Sequence, residues 1–148
     1  MRPVTHTFSH SVPAPIEQVF ALLTDPGRIP DWLPACTEVQ SDGPLKQGMR
    51  FNVRFGDRVT EFEVVDFARP AAFVWAERGE RKGRRMFFRL AGLGESTALT
   101  IRDVWMPPSR GAWLHARIWD RRSVQRHLDQ IGRRLRSVVT RDGRIWSR

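Results

Sequence analysis

Two ionisable side chains stand where apolar ones are due. His10 shares one face of an alternating stretch with Phe8 and Val12, and Asp103 falls in phase with Leu99, Ile101 and Trp105. An inward ionisable group must find a partner or shift its pKa, which is how acid–base sites are made. His10 and Asp103 are therefore the candidates for hydrogen-bonding a carbonyl or hydroxyl, or for moving a proton. The competing reading makes His10 a satisfied core histidine and turns Asp103 to solvent through a strand-end bulge. Trp32, Phe51, Phe55, Phe62, Trp75, Phe88 and Trp105 are all assigned to inner faces. They are candidates to grip a ring-bearing or acyl ligand; as plain core, each buries about 150–250 Å². Arg117 and Arg121 are candidates to meet a carboxylate or phosphate at a pocket mouth, the alternative being an ordinary surface role.

Other combinations fail on geometry. His6 and His10 have the spacing of a helical metal pair, but on a strand that spacing separates them by about 13 Å, too far for one ion. Cys36 is the only cysteine, and nothing in the sequence brings it beside a histidine. Gly92-Leu93-Gly94-Glu95 reads as a hairpin turn without the helix that a phosphate loop needs. No metal site and no cofactor are implied.

The elements that must position these residues follow from periodicity. Thr5 to Val12 alternates as a strand, and Pro13-Ala14-Pro15 ends it, with Pro15 suited to open a helix. Ile16, Val19, Phe20 and Leu23 make one apolar stripe of that helix, and the three prolines between Asp25 and Pro34 mark a short helical corner. From Cys36 to Trp105 the pattern is strand-like. Phe51, Val53 and Phe55 alternate with Arg50, Asn52 and Arg54, and Met86, Phe88 and Leu90 alternate with Arg85, Phe87 and Arg89. About seven strands in an antiparallel meander result. After Pro107-Pro108 the period changes. Val124, Leu128, Ile131, Leu135 and Val138 fall within an arc of roughly 80° on a long helix, with Arg122, Arg126, Arg133 and Arg136 on its back. Where this helix begins is open, since Gly111 to Trp119 also suits a helix.

With 148 residues, 41% hydrophobic and 28% charged, the chain is expected to form one domain, with a core at about 5–140 and a basic tail at 141–148. No apolar run is long enough to span a membrane, and the first residues lack the apolar stretch of a secretory signal, so a cytoplasmic protein is expected. Of 25 basic residues 23 are arginine, and residues 110–148 carry 11 of these against three aspartates, so nearly all of the net charge of +9 lies there. Such a segment can meet nucleic acid or an anionic membrane. It lacks the interleaved exposed aromatics of a single-strand binder, and no nucleic-acid partner is expected.

The order strand, helix, corner, antiparallel meander, long terminal helix resembles the helix-grip fold of the START/SRPBCC superfamily, which includes polyketide-cyclase-like proteins. The resemblance covers about residues 5–140. Its most specific stretch is Ser11-Val12-Pro13-Ala14-Pro15-Ile16-Glu17-Gln18-Val19-Phe20-Ala21-Leu22-Leu23-Thr24-Asp25 followed by Pro30-Asp31-Trp32-Leu33-Pro34, supported by Val64 to Pro70 and Gly94 to Thr100. The resemblance implies an α+β fold. A bent antiparallel sheet wraps the long C-terminal helix, two short helices follow the first strand, and a hollow between sheet and helix takes hydrophobic small molecules. A narrow Val/Leu/Ile stripe cannot fill such a hollow, so the aromatics are expected to line a partly open interior. One reading is a carrier or sensor for a lipid, aromatic or polyketide-like ligand. Another is a polyketide cyclase/aromatase-like enzyme that uses His10 and Asp103, and convergence of those two on one void separates the readings. The oligomeric state is not legible.

Overall fold

Proline, glycine and polar clusters cut the chain into elements that pair with their neighbours in sequence almost throughout. The computed structural model describes residues 2–79, 81–118 and 121–146, without the side chains of 117, 118 and 144–146. Strand β1 (Val4–Val12) leads through Pro15 into α1 (Ile16–Thr24) and α2 (Ile29–Trp32). There follow β2 (Glu38–Gln40), β3 (Arg50–Phe55), β4 (Arg58–Ala68), β5 (Ala72–Glu77), β6 (Arg85–Gly92) and β7 (Thr97–Trp105). Helices α3 (Arg110–Ile118) and α4 (Arg121–Trp146) complete the order.

The seven strands form one antiparallel sheet in the order β1-β7-β6-β5-β4-β3-β2. Only β1 is out of sequence. It pairs with β7 over nine residues, His6 opposite Asp103 and His10 opposite Leu99. A register shift between Val64 and Asp66 marks a bulge in β4, the kind of irregularity that bends a strand and deepens a sheet's curl. Alternation holds along the strands. Met86, Phe88 and Leu90 are buried while Arg85 and Arg89 are exposed, and Leu99, Ile101 and Asp103 are buried on the same face of β7. This is the helix-grip arrangement expected from the sequence.

Helix α4 covers the inner face with the stripe read from the sequence. Leu128, Ile131, Leu135 and Val138 are buried in one core with the sheet, and Arg122, Arg126, Arg133 and Arg136 are exposed. The helix lies on β1 and α2. Its approach to β1 is very close: a Cβ added at Gly132 would stand 2.4 Å from Cζ of Phe8, so a side chain there would collide with the ring. The far end is fixed by Arg28, which pairs with Asp31 at 2.8 Å and with Asp142 of α4 at 3.2 Å. The stretch from Gly111, whose place relative to the last helix the sequence leaves open, is helical as α3, and its Trp113 indole N–H donates to the Arg2 carbonyl at 2.7 Å.

Candidate functional site

The inward phase of β5 and β7 ends in acid. Phe73 and Trp75 are followed by Glu77 and Ile101 by Asp103, so two carboxylates reach the inner face at one end of the sheet. Arg84, just before β6, answers both. Its Nε donates to Asp103 Oδ1 and Oδ2 at 2.9 and 3.0 Å, its Nη2 donates to Oδ2, and its Nη1 lies 3.7 Å from Glu77 Oε1. The side chains are 15% (Arg84), 4% (Asp103) and 9% (Glu77) exposed. Burial opposes the Arg84 charge, but the Asp103 hydrogen bonds and the two carboxylate charges outweigh it and raise the pKa. Glu77 is held further by the Arg81 backbone N–H, which donates to Oε2 at 2.7 Å.

A cavity of about 420 Å³ opens beside this cluster, within the range of small-molecule sites. Phe55, Val59 and Phe62 of β3 and β4 form its apolar side, and Thr60, Glu77 and Arg84 its polar side. Val124 and His127, from the first turns of α4, close it from above, and Pro34 and Ala35 reach it from the loop after α2. Ala35 has φ of 64°, a left-handed conformation that costs a non-glycine residue about 1–2 kcal/mol. Burial pushes the His127 pKa below its ordinary 6.5, and the nearby charge of Arg84 and that of Arg134 push it further, against an opposing pull from Asp103. At neutral pH, His127 presents a neutral imidazole to the cavity.

The structure divides the sequence candidates. Phe55 and Phe62 line the cavity. Trp32, Phe51, Trp75 and Phe88 pack on one another instead, with Trp75 centred 5.8 Å from Trp32, 5.2 Å from Phe51 and 5.0 Å from Phe88. Each is buried, and the Trp32 indole N–H donates to the Leu22 carbonyl at 3.3 Å. Of the interior expected to be partly open, the middle is thus filled by aromatics, and the cavity of about 420 Å³ lies at one end. Trp105 borders a small void of about 10 Å³ with Asp103 and Ala116, and Arg81 stacks on its ring at 5.2 Å. Arg121 is exposed on a separate groove with Arg2, His6 and Trp113, and the Arg117 side chain lies outside the described residues.

His10 and Asp103 do not converge. Their register partners, Leu99 and His6, lie four residues from them along β7 and β1, about 13 Å of strand. His10 stacks on Phe8 at 5.3 Å under Gly132, and its Nε2 is buried without a hydrogen-bond partner among the described residues. Its pKa is lowered by burial and by the Arg136 charge. Asp103 turns inward, not to solvent, and Arg84 takes its oxygens.

The two lowered histidines give a pH prediction. As pH falls below 6.5 the unfolded chain takes up protons that folded His127 and His10 resist, so stability present above 6.5 is lost toward their folded values. The thermal midpoint should drop as pH falls below about 6.5, and His127→Gln together with His10→Gln should flatten that slope. A slope that persists unchanged in the double variant contradicts the assignment.

Comparison with known proteins agrees with the fold. A family model described as polyketide cyclase / dehydrase and lipid transport matches residues 3–140. A Bacillus halodurans protein superposes with a TM-score of 0.73 at 18% identity, over 94% of this chain and 99% of that one. CalU16 from Micromonospora echinospora superposes with a TM-score of 0.60 at 18% identity, over 97% and 85%. DynU16, from the dynemicin biosynthetic locus, gives 0.64 at 23% identity over 88% of this chain, which spans only 46% of the DynU16 chain. No curated protein matches the sequence. Among the described residues, no helix is long and apolar enough to cross a membrane. The structural likenesses carry the fold, and the match over nearly the whole length carries the family: the chain belongs to the polyketide cyclase / dehydrase and lipid transport family.

Proposed function

We propose that the protein binds a largely apolar small molecule in the cavity between the β3–β6 end of the sheet and the first turns of α4. The observation that carries this reading is the cavity's two-sided lining: Phe55, Phe62 and Val124 supply apolar surface, and Thr60, Glu77 and His127 supply a few convergent polar groups. Affinity comes from apolar area removed from water at about 25 cal/mol per Å², and orientation from the polar side. The family's description and the biosynthetic locus of DynU16 fit such a ligand. A cytoplasmic place of action belongs to the proposal, in keeping with a single free, buried Cys36.

The test is titration with the neutral fluorophore N-phenyl-1-naphthylamine. Saturable, blue-shifted emission is expected from the native chain, with affinity weakened about tenfold or more in Val124→Trp, whose indole would occupy the cavity. Near-UV circular dichroism checks that the variant is folded. Equal binding by the folded variant contradicts the assignment of the site.

His127 favours a second reading, a cyclase-like enzyme, because a neutral imidazole facing the cavity can accept a proton from an activated carbon. It replaces His10 in that role. The enzyme reading expects faster deuterium exchange at the methylene of benzoylacetone in the presence of the protein, lost in His127→Gln. A rate equal to buffer alone leaves the carrier reading.

A further inference from the structure

From Thr60, Glu77 and Arg84 in the cavity wall, a row of polar side chains crosses the sheet to Asp103. Thr60 of β4 stands two residues from Phe62, which is registered opposite Glu77 of β5. The Glu77 backbone N–H donates to the Arg84 carbonyl at 2.8 Å, and the Arg84 side chain grips Asp103 of β7. The row holds two carboxylates against one guanidinium. Asp103 is engaged by several Arg84 donors, whereas Glu77 has Arg84 only at 3.7 Å and one backbone N–H. A carboxylate offers about four acceptor positions, so Glu77 keeps acceptor capacity on the cavity side. Among the described residues no hydrogen bond reaches the Thr60 hydroxyl or the His127 ring, and both border the same space.

Charge decides what can approach. An anionic group directed at the open acceptor positions of Glu77 meets a carboxylate of its own sign. A cationic group meets the opposite obstacle, because the guanidinium groups of Arg58, Arg81 and Arg84 line the same cavity, Arg58 over Phe55 at 5.6 Å and Arg81 over Trp105 at 5.2 Å. A neutral donor satisfies both. Resting on the binding reading above, we infer that the cavity selects an uncharged hydroxyl group carried on an aromatic or alicyclic body, with Glu77 accepting its hydrogen bond and Thr60 and His127 flanking it.

The experiment compares 2-naphthol with 2-methylnaphthalene, nearly the same shape, by calorimetric or fluorescence titration at pH 7. A hydrogen bond to a charged acceptor makes 2-naphthol about tenfold the tighter ligand of the native protein. Glu77→Gln should cut that advantage below about threefold while leaving 2-methylnaphthalene nearly unchanged. Thr60→Val, which leaves the Arg84 cluster in place, should also lower the naphthol affinity and provides the check if Glu77→Gln does not fold. Equal or tighter binding of 2-methylnaphthalene by the native protein overturns hydroxyl selection and leaves the binding reading intact. A preference unchanged in the folded variants overturns it as well. Binding of neither compound overturns both readings.

Discussion

Asp103→Ala is expected to destabilise the protein by about 3–5 kcal/mol, because it strands a buried guanidinium. Arg84 is only 15% exposed and would be left with Glu77 at 3.7 Å as its one remaining carboxylate. For a chain of this length the loss corresponds to a fall in thermal midpoint of roughly 10 °C. Replacing both partners, as Asp103→Leu with Arg84→Met, should recover much of the loss, since an apolar pair leaves no uncompensated charge. Denaturant midpoints of the three variants measure this. A single variant that loses less than about 1 kcal/mol would show that water reaches Arg84 and that the cluster is not a dry wall of the cavity.

Trp75→Ala is expected to cost about 3–5 kcal/mol. Trp75 is 1% exposed and contacts five rings, those of Trp32, Phe51, Phe62, Phe73 and Phe88. Truncation opens a void in a cluster whose members have no apolar neighbour free to fill it. Trp75→Phe should cost less than half as much. It keeps most of the ring contacts and removes an indole Nε1 that is buried without a hydrogen-bond partner among the described residues. Equilibrium unfolding in urea separates the two. Equal losses for Ala and Phe would contradict the claim that packed ring volume at this position holds the cluster.

Strand periodicity carried most of the fold. Thr5 to Val12, Arg50 to Phe55, Arg85 to Leu90 and Leu99 to Trp105 lie in strands, and the Val124-Leu128-Ile131-Leu135-Val138 stripe faces the sheet in α4. The start of the last helix was not legible because Gly111 to Trp119 also suits a helix, and Arg110–Ile118 is indeed helical as α3. The site was half legible. Asp103 was visible as an inward acid, but the same parity that placed Met86, Phe88 and Leu90 inward also reaches Arg84, and that of Phe73 and Trp75 reaches Glu77. His127 sits one position before Leu128 at the edge of the apolar stripe, where helical spacing from Val124 and Ile131 already marks it. Which part of the aromatic interior is filled depends on how rings from different strands meet. Single-chain periodicity does not report that.

The ligand is expected at the Glu77–Arg84–His127 end of the sheet, not among the stacked aromatics and not in the Arg2–Trp113 groove. The most direct measurement is amide chemical-shift mapping of the isotope-labelled protein titrated with 2-naphthol. Perturbations should concentrate at Thr60, Phe62, Glu77, Arg84, Val124 and His127 and scale together with occupancy. Shifts confined to Val4, His6, Trp113 and Arg121, with the first group unmoved, would contradict it.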